Sequence, residues 1–277
     1  MAIVSVLWSL ALLSAVTVSL LSTGNVSYQL AHNAVQVAQD DTLNEAALNR
    51  TILALLDPRP AQRLRLDGVA QDLMLHDLRI RVAVQDELGR IDLNHADAPL
   101  FIALFQSVGV DTAAASGLAD KILDWRDRTP LKRLNGAKER EYRDTGFAYG
   151  PRNGPFQSVD ELRLVMGMTP ELFRRAAPAL TVYSGRPRFD PQVAPREALL
   201  ALRAMNDANV DALMANRMQR DPTEAAGIGD PITALKGRAY TIRSEIQIHD
   251  RAITRETVVR LTGNPEQPYW VLNWRQR

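Results

Sequence analysis

The first 39 residues of the chain contain no Asp, Glu, Lys or Arg, and this uncharged start constrains the fold more than any other feature. Fifteen of the twenty residues in 2–21 are apolar, and the other five are Ser or Thr. About 20 such residues in a helix span about 30 Å of hydrocarbon, and hydroxyl groups can bond to the preceding turn. We therefore predict a transmembrane helix over residues 1–23. The alternatives are a secretory signal peptide, although its apolar core is shorter and follows basic residues, and a buried core helix.

The helical pattern continues beyond this apolar segment. Apolar residues recur at steps of three and four from Val26 to Leu56, with Asn, Gln and Ser between them. The pattern ends at Asp57, because a residue that precedes proline disfavours the helical conformation. This predicts one helix of about 55 residues, roughly 80 Å long, whose second half is an amphipathic stalk. Two helices that break at Gly24 are the alternative.

Alternating apolar and polar residues predict strands at both ends of a mostly helical region. The predicted strands are 78–85, 90–93, 240–249, 252–261 and 269–274. The last of them contains Trp270 and Trp274, which share strand parity and are expected to pack the sheet. So few strands at either end cannot form a stable sheet alone. We therefore predict an α+β fold, in which a long N-terminal helix packs with one antiparallel sheet and an all-helical domain is inserted in the sheet.

This pattern divides the chain into four segments. They are a transmembrane helix (1–23), a helix stalk with the first strands of the sheet (24–93), an inserted helical domain (94–237) and the C-terminal strands (238–277). The helices predicted within the insert are 97–107, 112–127, 158–166, 170–177, 195–204 and 207–219. Loops are predicted at 186–195 and 220–230.

The insert contains an internal repeat. Residues 100–122 and 159–180 share a helix, an apolar–Gly–apolar turn, an Asp or Thr and a second helix, and a weaker third copy spans 198–218. Glycine suits a left-handed residue after a helix, and Asp or Thr suits the N-cap of the next one. The residues in these positions are Gly109 and Gly167, followed by Asp111 and Thr169.

These units resemble helix-hairpin-helix modules, and RIDLNHA (90–96) resembles the start of such modules in DNA-uptake proteins. Those modules use a second glycine in the turn and donate backbone N–H groups to a phosphate. Here Asp111 or Thr169 replaces that glycine, and an aspartate repels phosphate. The net charge of +1 also argues against a polyanionic partner. No nucleic acid is therefore expected, and a membrane-anchored DNA-binding or DNA-uptake protein is the alternative function.

Several segments together resemble the GspK family of type II secretion minor pseudopilins. They are VLWSLALLS (6–14), RIDLNHA (90–96), ILDWRD (122–127), NGAKEREY (135–142) and PFQSVDELRLVMGMTPELFRRAAPALTVYSG (155–185). The resemblance covers essentially the whole chain in the expected order. It implies a type IV pilin-like long helix with an antiparallel sheet and a large inserted helical domain.

The resemblance also implies a function. Such a protein is a minor pseudopilin that caps the tip of the type II secretion pseudopilus and takes part in protein export across the outer membrane. Its implied partners are the minor pseudopilins I and J, then H, and the major pseudopilin G, with prepilin peptidase for processing. Its implied location is the bacterial inner membrane, with a single pass and the C-terminal domain in the periplasm.

The candidate assembly and membrane-helix residues are Met1, Ser5, Trp8 and Leu12. In the resembled family, most pseudopilins carry a glutamate at the fifth mature position, which pairs with the N-terminal amine of a neighbour, and the K members lack it. If Met1 is the first mature residue, the uncharged Ser5 takes that position. A subunit at the tip has no amine ahead of it to neutralise, and an unpaired charge in lipid is costly.

Acidic residues cluster in 120–144, where the resembled family has calcium-binding loops. Carboxylate oxygens are ligands that calcium prefers, and the candidate ligands are Asp124, Asp127, Glu139, Glu141 and Asp144. However, Lys138 stands where the family has an acid, and several arginines and lysines lie between the carboxylates. A surface of ordinary salt bridges is therefore the alternative to a calcium site.

Catalytic and transition-metal chemistry find no support in the sequence. The chain has no cysteine, which excludes thiolate zinc sites and cysteine nucleophiles. Four histidines (His32, His76, His95 and His249) lack the spacing of metal ligands. No G-x-S-x-G, H-E-x-x-H or P-loop motif is present. The protein is therefore not expected to be an enzyme.

Overall fold

The computed structural model describes residues 2–57, 59, 64–75, 77–202, 205–219, 235–248 and 251–276, with the side chains of 2, 18–27 and 276 outside that description. Met1, His76, His249 and the predicted loop 220–230 therefore lie outside the described residues. The chain divides into two compact units, residues 1–49 and 50–277. The four-segment division made from the sequence remains a prediction.

Helix α1 runs from Ala2 to Leu55 and continues through Gly24, which confirms the single long helix. The hydroxyl of Ser9 donates to the backbone carbonyl of Ser5 at 2.9 Å, and the hydroxyl of Thr17 donates to the backbone carbonyl of Leu13 at 2.8 Å. Hydroxyl groups are thus satisfied within the apolar part of the helix. Among the described residues, no helix combines the length and apolarity required to cross a bilayer. The transmembrane helix over 1–23 therefore stays a prediction.

The main sheet has five antiparallel strands in the order β1-β2-β5-β6-β7. Their bounds are β1 Asp67–Leu75, β2 Leu78–Asp86, β5 Ala239–Ile248, β6 Arg251–Asn264 and β7 Gln267–Gln276. The predicted fold class is confirmed, since strands from both ends of the chain form one sheet. Strand β1 was missed, because its sequence DGVAQDLML has no strict alternation and none of its residues is fully buried.

The buried face of the sheet follows the alternation seen in the sequence. Ile80, Val82 and Val84 on β2 are fully buried, and the ladder places Ile246 and Ile242 of β5 opposite the first and the last of them. A shift by one residue would turn all these side chains to the other face. The apolar alternation therefore fixes the register of the central pair of strands.

The prediction that Trp270 and Trp274 lie on the same face of the last strand is wrong. Val258 pairs with Asn273 while Val259 pairs with Val271, so Leu272 is an extra residue in β7, as in a β-bulge. As a result, Trp270 pairs with Arg260 and Trp274 pairs with Thr257, two residues on opposite faces of β6. Both tryptophans are more than half exposed.

The insert connects β2 to β5 and consists mainly of short helices. They are α2 Ala98–Ser107, α3 Thr112–Arg126, α4 Glu139–Asp144, α5 Pro170–Ala176, α6 Arg196–Leu199 and α7 Asp207–Gln219. Most predicted helices are present, but 195–204 contains only one turn of α-helix, 158–166 forms a 3₁₀ helix over Val159–Leu164, and α4 was missed.

The short strand predicted at 90–93 does not return along β2. Strand β3 (Ile91–Asp92) instead pairs in parallel with β4 (Leu180–Thr181) in a separate two-stranded sheet. The reason is the 3₁₀ turn Glu87–Gly89, which leads the chain away from β2 while β2 itself pairs with β1 and β5.

The insert has its own apolar core, to which both α2 and α3 contribute buried side chains. An aromatic cluster extends it, in which the ring of Trp125 lies 5.9 Å from that of Tyr142 and 6.1 Å from that of Phe156. The indole N–H of Trp125 donates to the buried carboxylate of Glu161 at 2.9 Å. Buried tryptophans usually satisfy this donor, so the bond fixes how the 3₁₀ helix packs against α3.

A buried ion pair closes the junction between sheet and insert. Asp86 is fully buried at the end of β2, where its carboxylate accepts from the N–H of Leu88 at 2.9 Å and pairs with Arg238, the residue before β5. Burial raises the pKa of Asp86 to about 6, although Arg238 and the Leu88 N–H act in the opposite direction.

This raised pKa predicts how stability depends on pH. The folded-state pKa of Asp86 exceeds the ordinary value of 3.8. The contribution of this carboxyl group to the free energy of unfolding is therefore fully present below about pH 4 and is lost as the pH rises through about 6. An Asp86→Asn variant cannot titrate. Relative to the wild type, its free energy of unfolding should increase by about 2 kcal/mol between pH 4 and pH 7.

Denaturant unfolding of the full chain in detergent across this pH range measures the difference. Asp144→Asn, which changes an exposed acid of α4, is the matched control and should show no such trend. A difference between Asp86→Asn and wild type that stays constant with pH would contradict the prediction.

Candidate functional site

The first helical hairpin has the geometry predicted from its turn residues. Gly109 adopts a φ of +92° between α2 and α3. The carboxylate of Asp111 accepts from the N–H groups of Ala113 and Ala114, both at 3.0 Å. These are the groups that a helix N-terminus offers to an anion. In this turn the aspartate occupies them, so a phosphate would meet a negative charge instead of free donors.

The second hairpin repeats this arrangement. Gly167 has a φ of +91°, and the hydroxyl of Thr169 accepts from the N–H of Leu172 at 3.2 Å, with Pro170 at the first helical position. The turn of the first hairpin lies near the second, since a Cβ placed on Gly109 would be 3.7 Å from the guanidinium of Arg175 in α5. The N-caps are thus satisfied by the chain itself, and no observation favours the DNA-binding alternative.

The five candidate calcium ligands have partners within the chain. Asp124 is fully buried and accepts from Nη1 and the backbone N–H of Arg133, at 2.7 and 3.1 Å. The other carboxylates also pair with cations, namely Asp127 with Arg133, Glu139 with Arg143, Glu141 with Lys132 and Asp144 with Arg140. This is the arrangement expected of the salt-bridge alternative.

Two of these carboxylates are held in the charged form by backbone donors. The N–H of Thr129 lowers the pKa of Asp127, with smaller contributions from nearby cations. The N–H of Lys138 donates to Glu141 at 2.9 Å and, together with Lys132, lowers the pKa of Glu141. Asp127 therefore accepts a hydrogen bond within a turn, and Glu141 accepts one at the N-terminus of α4.

Lys138 lies at the centre of this region. Its side chain is buried, and Nζ donates to the carbonyl oxygens of Asp124 and Asp127, both at 2.7 Å, and to Oδ1 of Asn153 at 3.2 Å. The sequence marked Lys138 as a departure from an acidic pattern. Its partners were not predicted, because two of them are backbone groups and carry no signal in the side-chain pattern.

The described candidate residues on α1 are exposed. The side chains of Trp8 and Leu12 are 74% and 69% exposed, and Ser5 lies on the same exposed part of the helix. Met1 lies outside the described residues. The two described histidines have ordinary roles, since His32 bonds to Gln36 at 3.0 Å and His95 to the buried Asp92 at 3.1 Å.

Most of β2 and the first part of the insert match a known family. A family model described as type II secretion system (T2SS), protein K matches residues 79–185. The type II secretion system protein K of Pectobacterium carotovorum subsp. carotovorum is 22% identical over 261 residues, covering 84% of this chain and 78% of that protein. The chain is therefore similar to type II secretion system protein K over most of its length.

Other protein K relatives match over shorter regions. That of Klebsiella pneumoniae is 37% identical over 83 residues, which cover 29% of this chain and only 25% of that protein. That of Aeromonas hydrophila is 33% identical over 124 residues and 38% of its own length. These two matches thus span well under half of the relatives' lengths.

The fold also matches a solved structure. A chain of the crystal structure of the GspK–GspI–GspJ complex, from the type 2 secretion system of enterotoxigenic Escherichia coli, aligns with a TM-score of 0.54. The alignment covers 92% of this chain and 99% of that chain, at 18% sequence identity. The long helix, the antiparallel sheet and the inserted helices therefore share the fold of that chain.

The calcium site implied by the resemblance stays a prediction. Within the described parts of the chain, no three His, Cys, Asp or Glu side chains converge as metal ligands. Asp124 and Asp127 both pair with Arg133 instead.

Close packing in the loop between α3 and α4 predicts a clear substitution effect. A Cβ on Gly136 would overlap with Oδ2 of Asp124, whereas a Cβ on Gly117 in α3 would have Asn135 Cβ as its nearest contact, at 3.9 Å. Gly136→Ala should therefore destabilise the protein by about 1–3 kcal/mol. Gly117→Ala should stabilise it by about 0.5–1 kcal/mol, because glycine is unfavourable within a helix.

Thermal unfolding of both variants in the same detergent tests this pair. The melting temperature should fall for Gly136→Ala and rise slightly for Gly117→Ala. Equal shifts in the same direction would show that the Asp124 carboxylate does not restrict residue 136.

Proposed function

We propose that this chain is a minor pseudopilin that caps the tip of the type II secretion pseudopilus and so takes part in protein export across the outer membrane. Similarity to type II secretion system protein K supports the role in secretion. The role is one of assembly, without catalysis. The proposed partners are the minor pseudopilins I and J, with H and the major pseudopilin G below them, and prepilin peptidase for processing.

The observation that carries the assembly role is an exposed apolar face on the stalk part of α1. On a helical projection, one side of residues 28–38 carries only apolar residues and the opposite side only polar ones. The apolar side comprises Tyr28, Leu30, Ala31, Ala34, Val35, Val37 and Ala38, all of them exposed. Exposed apolar rows of this kind mark protein–protein contacts.

The solved GspK–GspI–GspJ complex supports the choice of partners. It contains a chain with this fold in complex with I and J proteins. A second long helix with its own apolar stripe is the simplest cover for the apolar side of α1, because two such stripes exclude water from each other. The inserted domain would add a bulky head that hinders the stacking of a further subunit.

The stalk predicts which substitutions disrupt the complex. Leu30→Glu places a charge in the apolar row, where it would be buried without a partner. It should reduce the recovered complex with I and J at least about tenfold. Gln29→Glu adds the same side chain one residue away on the polar side and should leave recovery unchanged.

Co-purification of the full chain with I and J homologues from detergent measures this. The melting temperature of each variant alone checks that the head is intact. Failure of the wild type to co-purify with both homologues would count against the proposed role, and equal recovery of the two variants would count against the proposed face.

Membrane anchoring is proposed on the same helix. Residues 3–17 of α1 are exposed and mostly apolar, and the hydroxyls of Ser9 and Thr17 bond to the preceding turn. Such a surface is favourable in lipid and unfavourable in water. We place this segment in the inner membrane as a single pass, with the C-terminal domain in the periplasm.

Membrane fractionation tests the anchor. The wild type should stay in the pellet after alkaline carbonate extraction, and protease should reach the C-terminal domain in spheroplasts. A double variant, Leu10→Arg with Leu13→Arg, should shift the protein to the supernatant, since each arginine costs about 2.5–3.5 kcal/mol at the centre of a membrane helix. Ser14→Ala is the control and should remain in the pellet. Wild-type protein in the supernatant would contradict the anchor.

A further inference from the structure

The buried ammonium group of Lys138 sits where three parts of the insert meet. Two of its acceptors, the carbonyl oxygens of Asp124 and Asp127, belong to the C-terminal end of α3. The last carbonyl groups of a helix have no partner within it and form the negative end of its dipole. A cation is therefore favoured at this position on electrostatic grounds alone.

The third acceptor comes from a strained turn. Asn153 has a φ of +54°, a left-handed conformation that few residues other than glycine adopt, asparagine being one of them. Its side-chain oxygen completes the contacts of the Lys138 ammonium. The cation thus connects the end of α3 to the start of α4 and to the loop that follows α4.

The number and length of these contacts fit an ammonium group and do not fit calcium. A lysine has three donors, and three acceptors lie at 2.7, 2.7 and 3.2 Å. Calcium takes about 6–8 oxygens at about 2.3–2.6 Å. The two side-chain carboxylates that would have to contribute are bonded instead to Arg133 and to the N–H of Thr129.

We propose that the Lys138 ammonium replaces a bound cation in this region, so that the insert of this chain keeps its structure without calcium. The positive charge is covalently attached and already desolvated among its acceptors. A metal ion would have to displace it and would meet Arg133 as a second like charge. This inference concerns how the insert is held together and does not depend on the proposed assembly role.

Thermal unfolding of the full chain in detergent, in EDTA or in millimolar calcium, tests the proposal. The wild-type melting temperature should agree within about 1 °C between the two conditions. Lys138→Met keeps the length of the side chain but removes the ammonium, which leaves three acceptors unpaired. Its melting temperature should fall by about 5 °C or more in both conditions.

Lys121→Met, on the half-buried side of α3, is the matched control and should shift by less than about 2 °C. Loss of folding in Lys138→Met would also support the structural role of the ammonium. Calorimetric titration of the wild type with calcium adds a direct readout, in which no heat of binding is expected.

Two results would overturn the proposal. One is a wild-type melting temperature that rises by more than about 5 °C in calcium, or a saturable heat of calcium binding, since either shows that the insert still uses the metal. The other is a melting temperature of Lys138→Met equal to that of Lys121→Met, because the ammonium would then contribute nothing to the insert.

Discussion

The pairing of β2 with β5 is the constraint on which the rest of the globular unit depends. The ladder runs from Ile80 opposite Ile246 to Asp86 opposite Tyr240, so the chain leaves the sheet and returns to it at neighbouring positions. The ends of the insert are therefore held together by the sheet itself. The cost of closing a longer loop grows only slowly with its length, which explains how a sheet can carry so large an insertion.

Within the insert, segments that are far apart in the sequence are held together by contacts to backbone groups. Arg126 donates to the carbonyls of Leu93 and Ala96, and the side chain of Asn94 exchanges two hydrogen bonds with the backbone of Phe156. Buried donors and acceptors that lose such partners carry the full cost of desolvation. These contacts, more than the short helices, define the shape of the insert. They lie within the region matched by the protein K family.

Several elements followed directly from local sequence signals. The uncharged start and the steps of three and four predicted α1, and the turns at Gly109 and Gly167 predicted both hairpins and their N-caps. These elements depend on interactions within a few residues, which a sequence displays. The pairing of Ile91 with Leu180 and the bulge at Leu272 involve distant strands, and nothing local encodes them.

The candidate site shows the same division. The sequence by itself determined which charges lie in 120–144 and that Lys138 interrupts the acids, as well as the apolar alternation that selects an antiparallel sheet. Only the tertiary structure decided which charge meets which partner. The ammonium of Lys138 binds two backbone carbonyls and one asparagine oxygen. Every residue has a backbone carbonyl, so its selection as a partner depends on where the chain passes in space and not on the identity of its side chain.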